Sequence, residues 1–192
     1  HNQELMDVFN LETKLFPCLI DMRFKGVRVD LEHAANLKKK LIIRENKILS
    51  DIKGLLGFDI EINAARSIAK GFDKLNLPYD RTEKSNEPSF TKNFLQNHPH
   101  ALPKAIADAR EINKARTTFI DSITKHSHKG RIHADINQIR SDQGGTVTGR
   151  FSMSNPNLQQ IPARHPEIGP MIRSIFIPEE KTVWGSFDYS QQ

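Results

Sequence analysis

Three stretches read together decide the fold of this chain: Thr148-Gly149-Arg150-Phe151-Ser152, then Pro156-Asn157-Leu158-Gln159-Gln160-Ile161-Pro162, then Asp188-Tyr189-Ser190-Gln191. Glycine before Arg150 lets the backbone come close to a partner. Asn157 and Gln159 lie two apart between prolines, so in an extended run both face one side. Asp188 follows Val183-Trp184-Gly185-Ser186-Phe187, an apolar run that reads as a strand. A strand end can hold a carboxylate steady, although an isolated aspartate there more often makes a turn. Ile175-Phe176-Ile177 reads as a second strand, joined to the first by a turn at 178–181.

Upstream, the texture is helical. Residues 3–25 repeat apolar side chains at helical spacing, with a possible fresh start at Pro17. Gly26 ends that helix, Val27-Arg28-Val29 is a short extended link, and Asp30 is a good N-cap. Residues 31–56 read as a long amphipathic helix. Ala34, Leu37, Leu41, Ile48, Ile52 and Leu55 form its apolar face, with Lys38, Lys39 and Lys40 on a solvated one. Asn63 is expected to cap a helix at 64–75, residues 76–89 to form a mobile loop, and Ser89 to cap a short helix to Asn97. A second long helix is expected over 104–127. Beyond Gly130, residues 131–137 alternate as a strand, 141–150 are turn-rich, and 168–173 form a helical turn or two. The fold class is therefore α+β, with a boundary near Gly130: residues 1–129 helical, residues 130–192 mixed.

Composition narrows the function classes. The chain has 192 residues, 37% hydrophobic and 27% charged, and no apolar run of the ~20 residues that a membrane helix needs. No membrane partner is expected. The single cysteine, Cys18, rules out an internal disulfide and suggests a reducing, cytoplasmic setting. The net charge of +5 is uneven: residues 100–165 hold 10 Lys and Arg against 5 Asp and Glu, whereas residues 166–192 hold 2 against 4. That order suits a polyanion grip followed by a metal site, though charge alone favours a solvated basic surface. His126, His128 and His133 match none of the familiar zinc spacings.

The three opening motifs, in this order and spacing, resemble those of the family A (bacterial polymerase I-like) DNA polymerases, whose palm begins T-G-R-x-S, P-N-L-Q-x-I-P and D-Y-S-Q. The similarity extends upstream. Leu15 to Asp30 looks like the helix leading into the thumb, and Arg110 to Phe119 looks like the second long thumb helix. The resemblance implies a long-helix thumb over 1–129, followed by the first strands of an antiparallel palm sheet over 130–192. It implies primer–template DNA and deoxynucleoside triphosphates as partners in the complete enzyme, in a bacterial or phage-infected cell. Asp188 would be the catalytic residue and a ligand of two Mg2+ ions, and the Tyr189 backbone carbonyl a further ligand.

Arg150 would reach the minor groove at the primer terminus, where acceptors recur in all four base pairs; a structural salt bridge is the alternative. Asn157 and Gln159 would touch the duplex, or brace their own loop. Arg110, Lys114 and Thr117, at i, i+4 and i+7, would share a helical face and grip the DNA backbone, or form a solvated basic face. Arg164 would support a phosphate or a nearby carboxylate. Gln192 stands where bacterial members are usually apolar, which hints at a phage-like branch. The family's fingers and second metal aspartate do not occur in these residues. The expectation is a fragment inactive alone, completed by the rest of the same chain or, as the alternative reading, by a second one.

Overall fold

Asn2–Lys25 forms one helix, α1, that continues through Pro17 rather than restarting there. The computed structural model describes residues 2–139, 144–162, 165–187 and 190. Gly26 stops α1 with φ +64°; a Cβ there would lie 2.7 Å from the Ile132 carbonyl oxygen and 2.8 Å from the His133 ring. Only glycine fits such a position without displacing its neighbours. Strand β1 (Val27–Arg28) follows, then α2 (Leu31–Leu56), α3 (Ala65–Lys74), the strand pair β2 (Asp80–Arg81) and β3 (Pro88–Ser89), α4 (Lys92–Asn97) and α5 (Ala101–Lys114). Helix α5 runs on into a π-helical stretch, Ala115–Ile120, and then α6 (Asp121–His126). The rest comprises β4 (Ser127–His128), β5 (Arg131–Ile132), β6 (Asp135–Asn137), β7 (Ser152–Ser154), a 3-10 turn at Leu158–Gln160 and α7 (Ile168–Arg173). The fold is α+β, rich in helix with small antiparallel sheets.

Two compact units divide the chain: Asn36–Thr118, and His1–Ala35 with Phe119–Gln192. In the first, Ile52, Leu56, Ile68, Phe72, Leu95, Leu102 and Ile106 form the core. Phe72 is its centre, with ring neighbours Tyr79, Phe90, Phe94 and His98. The buried line of α2 is Leu37, Leu41, Glu45, Ile52 and Leu56, so Leu56 rather than Leu55 faces inward at its end.

Several local expectations are corrected in this unit. Asn63 does not cap α3; Ala64 stands at that position without a side-chain cap, and Ser67 Oγ instead accepts from the Glu61 N–H at 2.9 Å. Thr91, not Ser89, caps α4, accepting from Phe94 N–H at 3.2 Å. Ser89 belongs to β3, in the stretch expected to be a mobile loop. That stretch closes on itself. Thr82 N–H donates to Glu87 O at 2.9 Å, Thr82 Oγ1 meets Ser85 Oγ at 2.7 Å, and Asn86 takes a left-handed φ of 53°. Helix α5 begins at Ala101 because His100 caps it, its Nδ1 accepting from Leu102 N–H at 3.1 Å. Pro103 then sits in the first turn, where its missing N–H costs nothing.

In the second unit, β5 lies between β1 and β4 in a three-stranded antiparallel sheet. β6 pairs with β7 in register Asp135↔Ser154, Ile136↔Met153 and Asn137↔Ser152. The single strand expected over 131–137 is thus two strands, because the chain changes partner at His133-Ala134. The strand expected at 175–177 is reduced to one bridge, Val29↔Phe176, flanked by Asp30 N–H to Ile175 O at 2.9 Å and Ile177 N–H to Arg28 O at 3.1 Å. Residues 183–187 are not a strand: no described neighbour offers them a ladder, and Phe187 is 96% exposed. Asp30 is the N-cap of α2 as expected, accepting from His33 N–H at 2.8 Å.

Candidate nucleic-acid interface

The loop between β7 and its upstream turn presents Arg150. Its backbone is pinned, since Thr146 Oγ1 donates to the Arg150 carbonyl at 2.7 Å and Gly145 N–H donates to Ser152 Oγ at 3.0 Å. Its side chain is exposed to solvent. Gly149 has φ +73°, with open space where a Cβ would stand. Gln159 fastens the same loop from the other side. Its Oε1 accepts from Met153 N–H at 3.2 Å and its Nε2 donates to Phe151 O at 3.0 Å. Asn157 Oδ1 accepts from Gln159 N–H at 3.1 Å and starts the 3-10 turn. Both amides brace the loop that carries Arg150, and both residues remain exposed.

On the long helix, the expected face of Arg110, Lys114 and Thr117 separates into two roles. Arg110 is half-buried: its Nε donates to Ile62 O at 2.6 Å and its Nη1 to Phe90 O at 2.8 Å, tying two loops to α5. Burial pushes its guanidinium below its usual pKa. Lys114 and Thr117 are exposed, and Thr117 Oγ1 donates back to Asn113 O at 2.8 Å. Lys39 and Lys40 are exposed on α2, as a solvated surface requires.

Arg164, Asp188 and Tyr189 lie outside the described residues. The turn that follows Ile177 is held in a way that sequence reading missed. Arg131 forks onto Glu179 with two bonds of 2.8 Å, and Arg28 Nη1 donates to Pro178 O at 3.1 Å. The hydrogen bonds that Arg131 donates to Glu179 hold the Glu179 carboxyl below its ordinary pKa and raise that of Arg131. Nothing in the spacing of 131 and 179 signals this pair.

The histidines make no metal cluster, and no group of three His, Cys, Asp or Glu forms one among the described residues. His126 Nδ1 meets Ser122 O at 2.9 Å and His133 Nδ1 meets Arg23 O at 2.8 Å. A carbonyl only accepts, so each Nδ1 carries the proton. No described helix is long and apolar enough to cross a membrane.

The family described as DNA polymerase family A matches residues 31–192. The chain belongs to this family. It is 34% identical over 200 residues to a DNA-directed DNA polymerase of Pseudomonas phage M6, covering 99% of this chain and 30% of that protein. It is 33% identical over 187 residues to the thermostable DNA polymerase I of Thermus aquaticus, covering 94% of this chain and 22% of that protein. The chain thus spans a third or less of these family A relatives. Among solved structures, the polymerase domain of M. smegmatis Pol1, in complex with DNA primer-template and dNTP, shares the fold. Its TM-score is 0.74 and its identity 24%, over 88% of this chain and 30% of that one.

Proposed function

We propose that this segment grips the primer–template duplex of a DNA-directed DNA polymerase and supplies one metal-binding carboxylate, Asp188, to its active centre. The observation that carries this reading is the loop 144–162. Within a family A match, it anchors its backbone by Gln159, Ser152 and Thr146 while leaving the Arg150 guanidinium in solvent. An arginine fork held by a fixed backbone suits the minor groove, where acceptor positions vary little with sequence. Lys114 and Thr117 add contacts to the phosphate backbone, which are sequence-independent and weaken with salt. Arg110 supports this helix from behind through Ile62 and Phe90; Asn157 and Gln159 reach the duplex from the loop that they brace. Arg164 adds a further cation for a phosphate.

The reaction is the joining of a deoxynucleotide to a primer 3′ end. The donors assigned to the metal site, a carboxylate at Asp188 and the carbonyl of Tyr189, are the hard oxygen ligands that magnesium takes. Mg2+ held by these oxygens would supply Lewis-acid stabilisation of the charge that develops in phosphoryl transfer. The residues of this chain place the primer terminus and contribute the Asp188 carboxylate. The fingers and the second carboxylate belong to the remainder of the enzyme, and the 192 residues alone are inactive.

Primer extension with the complete polymerase tests the assignment. Asp188→Asn should reduce magnesium-dependent incorporation by at least ~100-fold without loss of duplex affinity. Undiminished incorporation would remove Asp188 from the active centre. Robust synthesis by the isolated 192 residues would overturn the division of labour.

A further inference from the structure

Glu45 stands on the buried stripe of α2, where the flanking positions are Leu41 and Ile52, and is itself only 6% exposed. Among the described residues it is the sole charged or polar residue in the core. A carboxylate in that position requires partners, and it has two. Asn113 Nδ2 donates to its Oε1 at 2.7 Å, and Arg116 Nε donates to its Oε2 at 3.0 Å. These partners are three residues apart on one face of the long helix. Lys114 and Thr117, also three apart, form the exposed face displaced by one residue. The bond to Asn113 lies at the end of α5, and the bond to Arg116 lies just inside the π-helical stretch Ala115–Ile120. A change from α to π winding alters the angle between successive side chains, so the helix needs an external reference there. One residue of rotation, roughly 100° in an α-helix, would carry Lys114 and Thr117 to where Asn113 and Arg116 stand.

We propose that Glu45 is a positioning residue for the duplex grip. Its two carboxylate oxygens fix the rotation of the helix at the α-to-π change, and so aim Lys114 and Thr117 at the DNA backbone. It also keeps Arg116 engaged inward, so the phosphate contacts fall to Lys114 and Thr117. This rests on the proposed DNA-gripping role of that face.

The test is a double-mutant cycle in the complete polymerase, reading primer–template Kd across a salt series below the melting temperature of every variant. Lys114→Ala should weaken binding and lower the salt slope by about one. Glu45→Gln should weaken binding about 3- to 10-fold with a similar drop in slope, taken as one lost phosphate contact. Combined with Lys114→Ala, it should add almost nothing. A role confined to holding the core together would not make its effect depend on Lys114. Should Glu45→Gln not fold, Asn113→Ala removes one arm of the anchor without changing charge, and should show the same dependence on Lys114. Wild-type affinity in a folded Glu45→Gln, or losses that add in full with Lys114→Ala, overturns the proposal. If Lys114→Ala itself binds normally, the DNA role of that face fails and the positioning role falls with it. That result is distinct from a Lys114 effect that Glu45→Gln does not share.

Discussion

The unit Asn36–Thr118 and the segments Asn2–Lys25 and 183–187 handle apolar side chains in opposite ways. In the former, Phe72, Leu95, Leu102 and Ile106 are completely buried, and the one buried carboxylate is paired twice. In α1, Phe9, Phe16 and Phe24 are exposed, and Val183, Trp184 and Phe187 are exposed at the other end. The first region closes its own core. The others leave large apolar side chains exposed.

That contrast can be broken by substitution. Phe72→Ala should cost about 3–5 kcal/mol in denaturant unfolding, because it removes a fully buried ring and leaves a cavity. A cost below about 1 kcal/mol would mean that the aromatic cluster does not hold the unit together. Thr91→Ala should cost about 1 kcal/mol by the same measurement, through loss of the α4 cap; no change would mean that the cap bond is not formed in solution.

The Glu179 pair sharpens the comparison from the other unit. Its carboxyl is held below its ordinary pKa by Arg131, so its stabilisation is full above the unfolded glutamate value of about 4.3 and disappears as pH falls through the lower folded value. Glu179→Gln should therefore be less stable than the parent at neutral pH, and the two melting curves should converge as the pH falls through the folded value. A gap that persists or widens in acid would contradict the assigned pair. Smallest of all, Phe24→Ser in the 192-residue chain should alter unfolding by less than about 0.5 kcal/mol, since Phe24 is 85% exposed. A large loss would show that α1 is covered after all.

The sequence was most legible where a signal is local. Helices α1 and α2, the Asp30 cap and the α+β class follow from periodicity and capping chemistry. The caps of α3 and α4 were missed because Asn63, Ala64, Ser89 and Thr91 sit within a few residues of each other's roles, and the final backbone geometry chooses among them. The hairpin at 80–89 is hidden by its polar composition, since Thr82 pairs with the backbone of Asn86 and Glu87 rather than with a core. In the candidate site, the motifs locate Arg150, Asn157 and Gln159, but not that Gln159 binds the backbone of Phe151 and Met153 beside Arg150. Glu45 had a visible signal: a carboxylate four residues after Leu41 on an apolar stripe. Its partners, 68 and 71 residues away, had none.

The central claim is that Arg150 and Lys114 hold duplex DNA without reading its sequence. The most direct measurement is the salt dependence of primer–template Kd for the parent and the Arg150→Ala/Lys114→Ala double variant, on two duplexes of unrelated sequence. The account predicts a Kd that rises steeply with salt in the parent, the same for both duplexes, and a weaker, flatter dependence in the variant. Equal affinity and equal slope in parent and variant would contradict it.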